Sequence, residues 1–304
     1  MSTNLTKLGA ALAVTALSVA LSGCGGDPTS DGAKSASDTI TVGSAGFPES
    51  EILAEIYGQA LEAKGITVKQ KPSIGEREVY FKALKDGSID LIPDYTGNLL
   101  TYLDPKATAT APEEVVNALG DALPADLKVF KASEAEDKDS YNVTAKFAAD
   151  NNLKTIGDLA KIKGLKLGGP PPLAERTYGI PGLEKTYGIT GVKFTPIKDG
   201  GGPNTVAALL DGTIDVADIF TTAPSIADNK LVTLEDPKNL IAAQNVVPLI
   251  SEKKATDTVE KTLDAVSALL TTQDLVDLLR KNQGTDKTAP ATLAKQWLTD
   301  KGLI

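Results

Sequence analysis

Two stretches of the chain repeat one another in pattern: Ala83-Leu84-Lys85-Asp86-Gly87-Ser88-Ile89-Asp90-Leu91 and Ala208-Leu209-Leu210-Asp211-Gly212-Thr213-Ile214-Asp215-Val216. In each, the end of an amphipathic run meets a glycine, and a short apolar strand follows. Glycine suits the left-handed turn that stops a helix, and the β-branched run after it suits a buried strand. Either stretch alone is ordinary helix-to-strand turn chemistry. Two copies in register predict two α/β lobes of similar construction.

The flanking segments agree. Thr39 to Ser44 reads as a strand ending in a small-residue turn, and Glu49 to Lys64 sets Ile52, Leu53, Ile56, Ala60 and Leu61 on one helical stripe that Gly65 stops. A strand from Thr67 to Lys71, a helix from Arg77 to Lys85 and a strand from Ile89 to Pro93 complete a βαβαβ unit. The second block is expected to run as a strand over Tyr141–Lys146, a short helix over Thr155–Ala160, and a strand over Lys166–Gly168 entering a proline-rich turn. It continues as a helix at Leu183–Tyr187, an extended segment over Val192–Ile197, a helix at Thr205–Leu210 and a strand over Ile214–Phe220. After Val246–Ile250, a strand, come helices over Thr258–Leu270, Thr272–Lys281 and Ala291–Lys301. If these helices pack on the first lobe, the chain crosses between lobes twice, near Tyr141 and near Asn245, and a hinge with a cleft results.

Residue usage removes most chemistry. The chain has no histidine and one cysteine, so Ser-His-Asp and Cys-His catalysis, imidazole-based zinc sites and a disulfide framework are all ruled out. Neither G-x-S-x-G nor G-x-x-x-x-G-K-[ST] occurs. No enzyme activity, metal or cofactor is expected, and any ATP hydrolysis belongs to another chain. A net charge of -9 speaks against a nucleic-acid partner.

The lone cysteine has its own setting. Lys7, an apolar run from Leu8 to Leu21, and Leu21-Ser22-Gly23-Cys24 read as a lipoprotein signal, because the run is shorter than the ~20 residues of a bilayer span. Residues 1–23 are the expected signal peptide, with Cys24 carrying a diacylglyceryl thioether, and residues 24–38, rich in Gly, Ser, Asp and Ala, are a flexible tether. An extracytoplasmic protein, lipid-anchored to the outer face of the cell membrane, is expected.

Several separated segments resemble one family. Ile40-Thr41-Val42-Gly43-Ser44, Phe47, Glu49, and Asp86 through Gly97 with its Asp94-Tyr95-Thr96-Gly97 are similar to the opening strand and Glu-Tyr-Thr-Gly segment of the quaternary-amine binding proteins. These are the glycine betaine, choline and carnitine receptors of osmoprotectant ABC importers. Asn152 through Ala160, Arg176, Gly182-Leu183, Tyr187-Gly188 and Leu234 through Lys238 continue the likeness in the family's order. The resemblance implies an α/β type II periplasmic-binding-protein fold: two lobes, a ligand cleft and a double-crossover hinge. Lobe 1 is expected over 39–141 plus 246–304, and lobe 2 over 142–245. It also implies a monomer that hands its small-molecule ligand to an ABC permease served by separate ATPase subunits.

A trimethylammonium group donates no hydrogen bond, so such receptors hold it with aromatic faces, at ~0.5 to 2 kcal/mol each, and a ligand carboxylate calls for arginine. Carried over by resemblance, Tyr95 and Tyr141 match cage tyrosines and Arg176 the cleft arginine, with Ser44 and Phe47 in the first strand-to-helix turn. Asn98, Phe220 and Thr222 complete the expected ligand-binding set. The chain departs from the family at Ala45, where lysine is common, at Asn98 in place of threonine, at Val206 in place of a third cage tyrosine, and at Ala223 in place of aspartate. The cage is therefore short of rings, and Phe47, Phe220 and the Gly200-Gly201-Gly202-Pro203 loop also suit a flatter or less charged ligand. Two alternatives stay open: the same import role with another small polar or aromatic ligand, or a sensory binding module without transport.

Overall fold

In the computed structural model, which describes residues 39–304, the first half of the chain runs β1 (Thr39–Gly43), α1 (Pro48–Glu62), β2 (Thr67–Lys71), α2 (Arg77–Lys85), β3 (Leu91–Tyr95), α3 (Thr96–Leu103), α4 (Pro112–Ala122) and β4 (Leu127–Val129). The second runs β5 (Tyr141–Thr144), α5 (Ala145–Asn151), β6 (Lys166–Gly169), α6 (Ile180–Tyr187), β7 (Lys193–Pro196), α7 (Pro203–Leu210), β8 (Val216–Asp218), α8 (Pro224–Asp228) and β9 (Leu231–Thr233). β10 (Val246–Ser251) and α9 (Asp257–Ser267), α10 (Thr272–Gln283) and α11 (Pro290–Asp300) close the chain. The signal, Cys24 and the tether lie outside the described residues. Among the described residues, no helix is long and apolar enough to cross a membrane.

The strands form two sheets, ordered β2-β1-β3-β10-β4 and β7-β6-β8-β5-β9. In each, three neighbouring strands are parallel, the fourth is antiparallel to them, and the outermost is antiparallel to the fourth. Parallel neighbours require crossovers, which α1 and α2 supply in the first sheet and α6 and α7 in the second. Tyr141 belongs to the second sheet, pairing with Asp218.

The repeated stretches are the same device built twice. Asp86 Oδ1 accepts from the Ser88 amide at 2.9 Å and Asp211 Oδ1 from the Thr213 amide at 2.8 Å, closing turns around Gly87 (φ 77°) and Gly212 (φ 79°). Next, Asp90 exchanges two bonds with Thr41, its amide giving to the Thr41 carbonyl and its Oδ2 taking the Thr41 amide, both at 2.8 Å. Asp215 does the same with Lys166, at 2.8 and 2.9 Å. A carboxylate thus stands in for a strand carbonyl at the start of each central ladder, satisfying an amide that burial would otherwise orphan.

α1 carries most of the first core. Ile52, Leu53, Ile56, Tyr57 and Leu61 are buried against the sheet and against Leu263, Leu275, Leu293 and Leu298 of the last three helices. Each such aliphatic side chain contributes ~1.5 to 3 kcal/mol, enough to fix the C-terminal helices on the first sheet. The chain therefore crosses from the first sheet to the second and back. The crossing segments, 130–140 and 234–245, lie antiparallel: Ser133 donates to the Val246 carbonyl at 2.9 Å, Val246 to Ala135 at 3.0 Å and Asp137 to Gln244 at 3.1 Å.

The strand expected over Tyr141–Lys146 ends at Thr144, whose hydroxyl accepts from the Phe147 amide at 3.1 Å and so caps α5. The expected Ile214–Phe220 strand is confined to Val216–Asp218, because Asp215 leaves the ladder to bond Lys166 and Ile219 turns toward Ser140. The short helix near Thr155 is a 3-10 turn over Ile156–Lys161 closed by a Thr155–Asp158 capping box.

Candidate functional site

A cavity of about 490 Å³ lies between the sheets, at the carboxyl ends of β1, β3, β6 and β8. Among the three parallel strands of each sheet the first sits between the second and third, β1 between β2 and β3 and β6 between β7 and β8, so these ends splay apart and leave a crevice.

One wall is aromatic. Phe47 is the N-cap of α1, Tyr95 ends β3 and caps α3, and Phe220 follows β8, so all three rings stand on strand-to-helix corners. Phe47 lies 6.2 Å from Tyr95, tilted by 30°, and 5.6 Å edge-to-face from Phe220 in the opposite lobe. The glycine loop approaches the same wall: a Cβ on Gly200 (φ 59°) would lie 3.5 Å from Phe220 and 3.6 Å from Phe47. On Gly201 (φ 78°) it would meet the Ile219 backbone at 2.8 Å. Glycine is required there by close approach as well as by φ.

The opposite wall holds Tyr80, Arg77, Tyr178 and Arg176. Arg77 gives Asp94 Oδ1 a bond of 2.7 Å, and the Tyr80 hydroxyl donates to Asp94 Oδ2 at 2.9 Å. Arg77 and Asp94 are nearly or wholly buried, so the pair is a fixed unit. Arg176 reaches across the mouth to Glu78 at 2.6 Å. Phe47 with Phe220 and Arg176 with Glu78 are therefore two of the cross-lobe contacts around the cavity.

The floor is acidic. Asp137 and Asp139, from the first crossing segment, line the cavity, and Glu49 and Asp218 lie buried behind it. Glu49 accepts from the Tyr95 and Thr222 hydroxyls, both at 2.6 Å. Asp137 accepts from the Thr222 amide at 3.1 Å and the Thr221 hydroxyl at 3.3 Å, and Asp139 from Asn98 Nδ2 at 3.1 Å. Burial pushes the carboxyls of Glu49, Asp137, Asp139 and Asp218 above the usual range, and their mutual repulsion lifts Asp137 and Asp218 further. Among the described residues, no group of His, Cys, Asp and Glu is arranged to hold a metal ion.

Of the residues expected from sequence, Phe47, Tyr95, Asn98, Arg176 and Phe220 line the cavity. Ser44, Tyr141 and Thr222 stand behind the lining. Ser44 Oγ accepts from the Ser73 amide at 2.8 Å, shaping the first turn. Thr222 bridges Glu49 to Asp137. Tyr141, 1% exposed, donates to the Tyr178 carbonyl at 2.8 Å and so holds that ring's backbone in place of presenting its own. Val206 is a core residue packed with Leu209, Ile214 and Ile219, which accounts for the absence of a ring there.

Sequence reasoning missed Arg77, Tyr80, Asp137, Asp139 and Tyr178. The two aspartates sit in Glu134-Ala135-Glu136-Asp137-Lys138-Asp139, which has the composition of a solvated charge run. The one signal available was the position of that run on the crossing toward the second block.

Two α/β lobes with like topology, joined by paired crossing segments over an aromatic and acidic cleft, define a two-lobed solute-binding protein of the type II periplasmic class. A family model described as the substrate binding domain of ABC-type glycine betaine transport system matches residues 38–300, and the chain belongs to this family of solute-binding proteins, which are not enzymes. It is 27% identical over 232 residues to the glycine betaine-binding protein YehZ of Escherichia coli (strain K12), covering 71% of this chain and 75% of that one. Among solved structures, a glycine betaine/carnitine/choline ABC transporter protein superposes with a TM-score of 0.69 at 22% identity, over 87% of this chain and 99% of that one. An ABC-transporter choline binding protein in complex with choline superposes with a TM-score of 0.64 at 18% identity, over 87% and 89%. At these identities the superpositions establish the fold.

Proposed function

We propose that this protein is a lipid-anchored receptor that binds a small quaternary amine of the glycine betaine and choline class between its lobes and delivers it to an ABC permease. The observation that carries this reading is the Phe47–Tyr95–Phe220 wall sharing one cavity with Asp137 and Asp139 on its floor. Ring faces attract an alkylammonium group without requiring it to donate hydrogen bonds, and nearby carboxylates add a field of the right sign. The family assignment and the 27% identical glycine betaine-binding relative point the same way.

The ligand is seated with its ammonium against the aromatic wall. Lobe 1 comprises 39–141 plus 246–304 and lobe 2 comprises 142–245, with Tyr141 at the boundary, and a ligand touching both shifts the population toward the closed form. That form is the one a permease reads. The apolar run ahead of Cys24 supports attachment to the outer face of the membrane, and the protein acts as a monomer. Ligand contact is assigned to Phe47, Tyr95, Asn98, Arg176 and Phe220, with Ser44, Tyr141 and Thr222 as supports.

Calorimetric titration of the full chain with glycine betaine, choline and carnitine tests this. Submillimolar binding of at least one is expected; silence with all three overturns the ligand class. A second reading rests on size. A cavity of about 490 Å³ lies within the ~300 to 1,000 Å³ of pockets for larger organic ligands, and binding of an uncharged aromatic solute in the same titration would favour it.

A further inference from the structure

Asp218 closes β8 directly behind the cavity floor. It is 1% exposed, and neither of its carboxyl oxygens makes a hydrogen bond of ordinary geometry; its nearest polar neighbours are the Ser140 main chain and the Asp139 carboxyl. Glu49 and Asp137, also buried, each accept two hydrogen bonds. Asp218 is the one member of the floor left unsatisfied.

Among the described residues, no cation pairs with Asp218. Asp139 and Asp137 face it from the first crossing segment, with the Ser140 main chain beside them, and Tyr141 and Tyr178 approach from β5 and from the loop before α6. β6 contributes only Gly169, where even a Cβ would lie 2.9 Å from the Asp218 Cβ. Asp139, which Asp218 faces, has Asn98 from α3 at 3.1 Å, the Glu76 carboxyl just ahead of α2 and the more distant charge of Arg77 from α2, already paired to Asp94 at 2.7 Å. Two carboxylates side by side in a water-poor site cannot both ionise without a large cost, and the usual resolution is one proton held between them. The partner missing from Asp218 is then the Asp139 carboxyl, bridged by that proton.

Asp139 also lines the cavity. A fixed positive charge seated on the aromatic wall falls within reach of its field, and supplies the countercharge that the second ionisation lacks. We propose that Asp139 and Asp218 share one proton in the empty cleft and that a cationic ligand head displaces it to solvent, so that ligand uptake is a cation-for-proton exchange. The reaction balances in charge: one ligand cation enters, one proton leaves to the buffer, and the pair goes from one negative charge to two. This rests on the quaternary-amine reading above.

Choline is the probe, since it carries no group that titrates near neutrality and any pH effect belongs to the protein. Titrating the full chain with choline from pH 5 to 8, in buffers of different protonation enthalpy, should show release approaching one proton per ligand and affinity rising toward tenfold per pH unit over part of that range. Asp218→Asn should flatten the profile, because an amide satisfies Asp139 with no proton to lose. Choline binding with no buffer-dependent heat and no pH slope overturns the exchange while leaving the receptor function intact. A slope that survives in Asp218→Asn overturns the assignment to this pair. Should the variant fail to fold, proton release by the unaltered chain decides by itself. Absence of binding by choline, glycine betaine and carnitine at every pH overturns both the ligand class and the exchange.

Discussion

Tyr95 presents its ring to the cavity while its hydroxyl donates to Glu49 at 2.6 Å. The hydrogen bond fixes the ring angle, and the ring face supplies cation attraction. Tyr95→Ala is therefore expected to weaken a cationic ligand by ~1 to 2 kcal/mol, about 5- to 30-fold, and a neutral one less; parallel titrations check this, and equal losses would mean that the ring only packs. Arg176 behaves differently from the expectation that it waits for a ligand carboxylate, since Glu78 already holds it at 2.6 Å. Glu78 is half exposed, so the pair is a weak, screened latch. Glu78→Gln should raise affinity for glycine betaine relative to choline, read as a change in the ratio of their dissociation constants, because it frees a guanidinium for the ligand of the two that carries a carboxylate.

At the scale of elements, the two helix-to-strand turns can be set against each other. A Cβ on Gly87 or Gly212 meets nothing within 4 Å, and both have φ near +78°. Gly→Ala at either site should thus cost ~1 kcal/mol from backbone conformation alone, with matching losses in chemical denaturation. Gly201→Ala should cost more and also weaken ligand binding, since its Cβ meets the Ile219 backbone at 2.8 Å next to Phe220. The repeat was legible because its residue types are dictated by local geometry: glycine for a positive φ, aspartate for a side chain that mimics a carbonyl. α5 and the true end of β5 were not, since Tyr141–Lys146 is equally compatible with a longer strand, and only the Thr144 cap and the pairing of β5 between β8 and β9 end it.

For the whole molecule, the acidic floor links folding to pH. Glu49, Asp137, Asp139 and Asp218 have folded-state pKa values raised by burial, so the folded chain binds protons more tightly than the unfolded one. Stability from these groups is then greatest where they are protonated and falls as pH rises through their raised values. Mild acidification from neutrality toward pH 5 is expected to raise the Tm of the ligand-free protein, and saturating choline to reduce that slope. Thermal scans across pH check both; a Tm that falls on mild acidification would show that the floor is ionised at no cost. Lobe closure is a second global quantity. Phe47–Phe220 and Arg176–Glu78 bring the lobes together, and ligand should narrow the distribution of distances across that mouth in scattering or spin-label measurements.

Family resemblance brought Tyr95 and Arg176 forward, while the chain's own order of residues determined the local grammar: which of the longer runs are strands and helices, that the unit is built twice, and that histidine and thiol chemistry is absent from the lobes. Those features depend on neighbours a few positions away. Tertiary structure alone decided that Tyr141 turns its hydroxyl to Tyr178, that Val206 is core, and that Asp139 and Asp218, distant in sequence and unremarkable there, meet beneath the cleft. The reason is physical: whether a carboxylate is a solvated surface group or a buried acid in need of a partner depends on what the second crossing of the chain lays over it, and no local pattern encodes that.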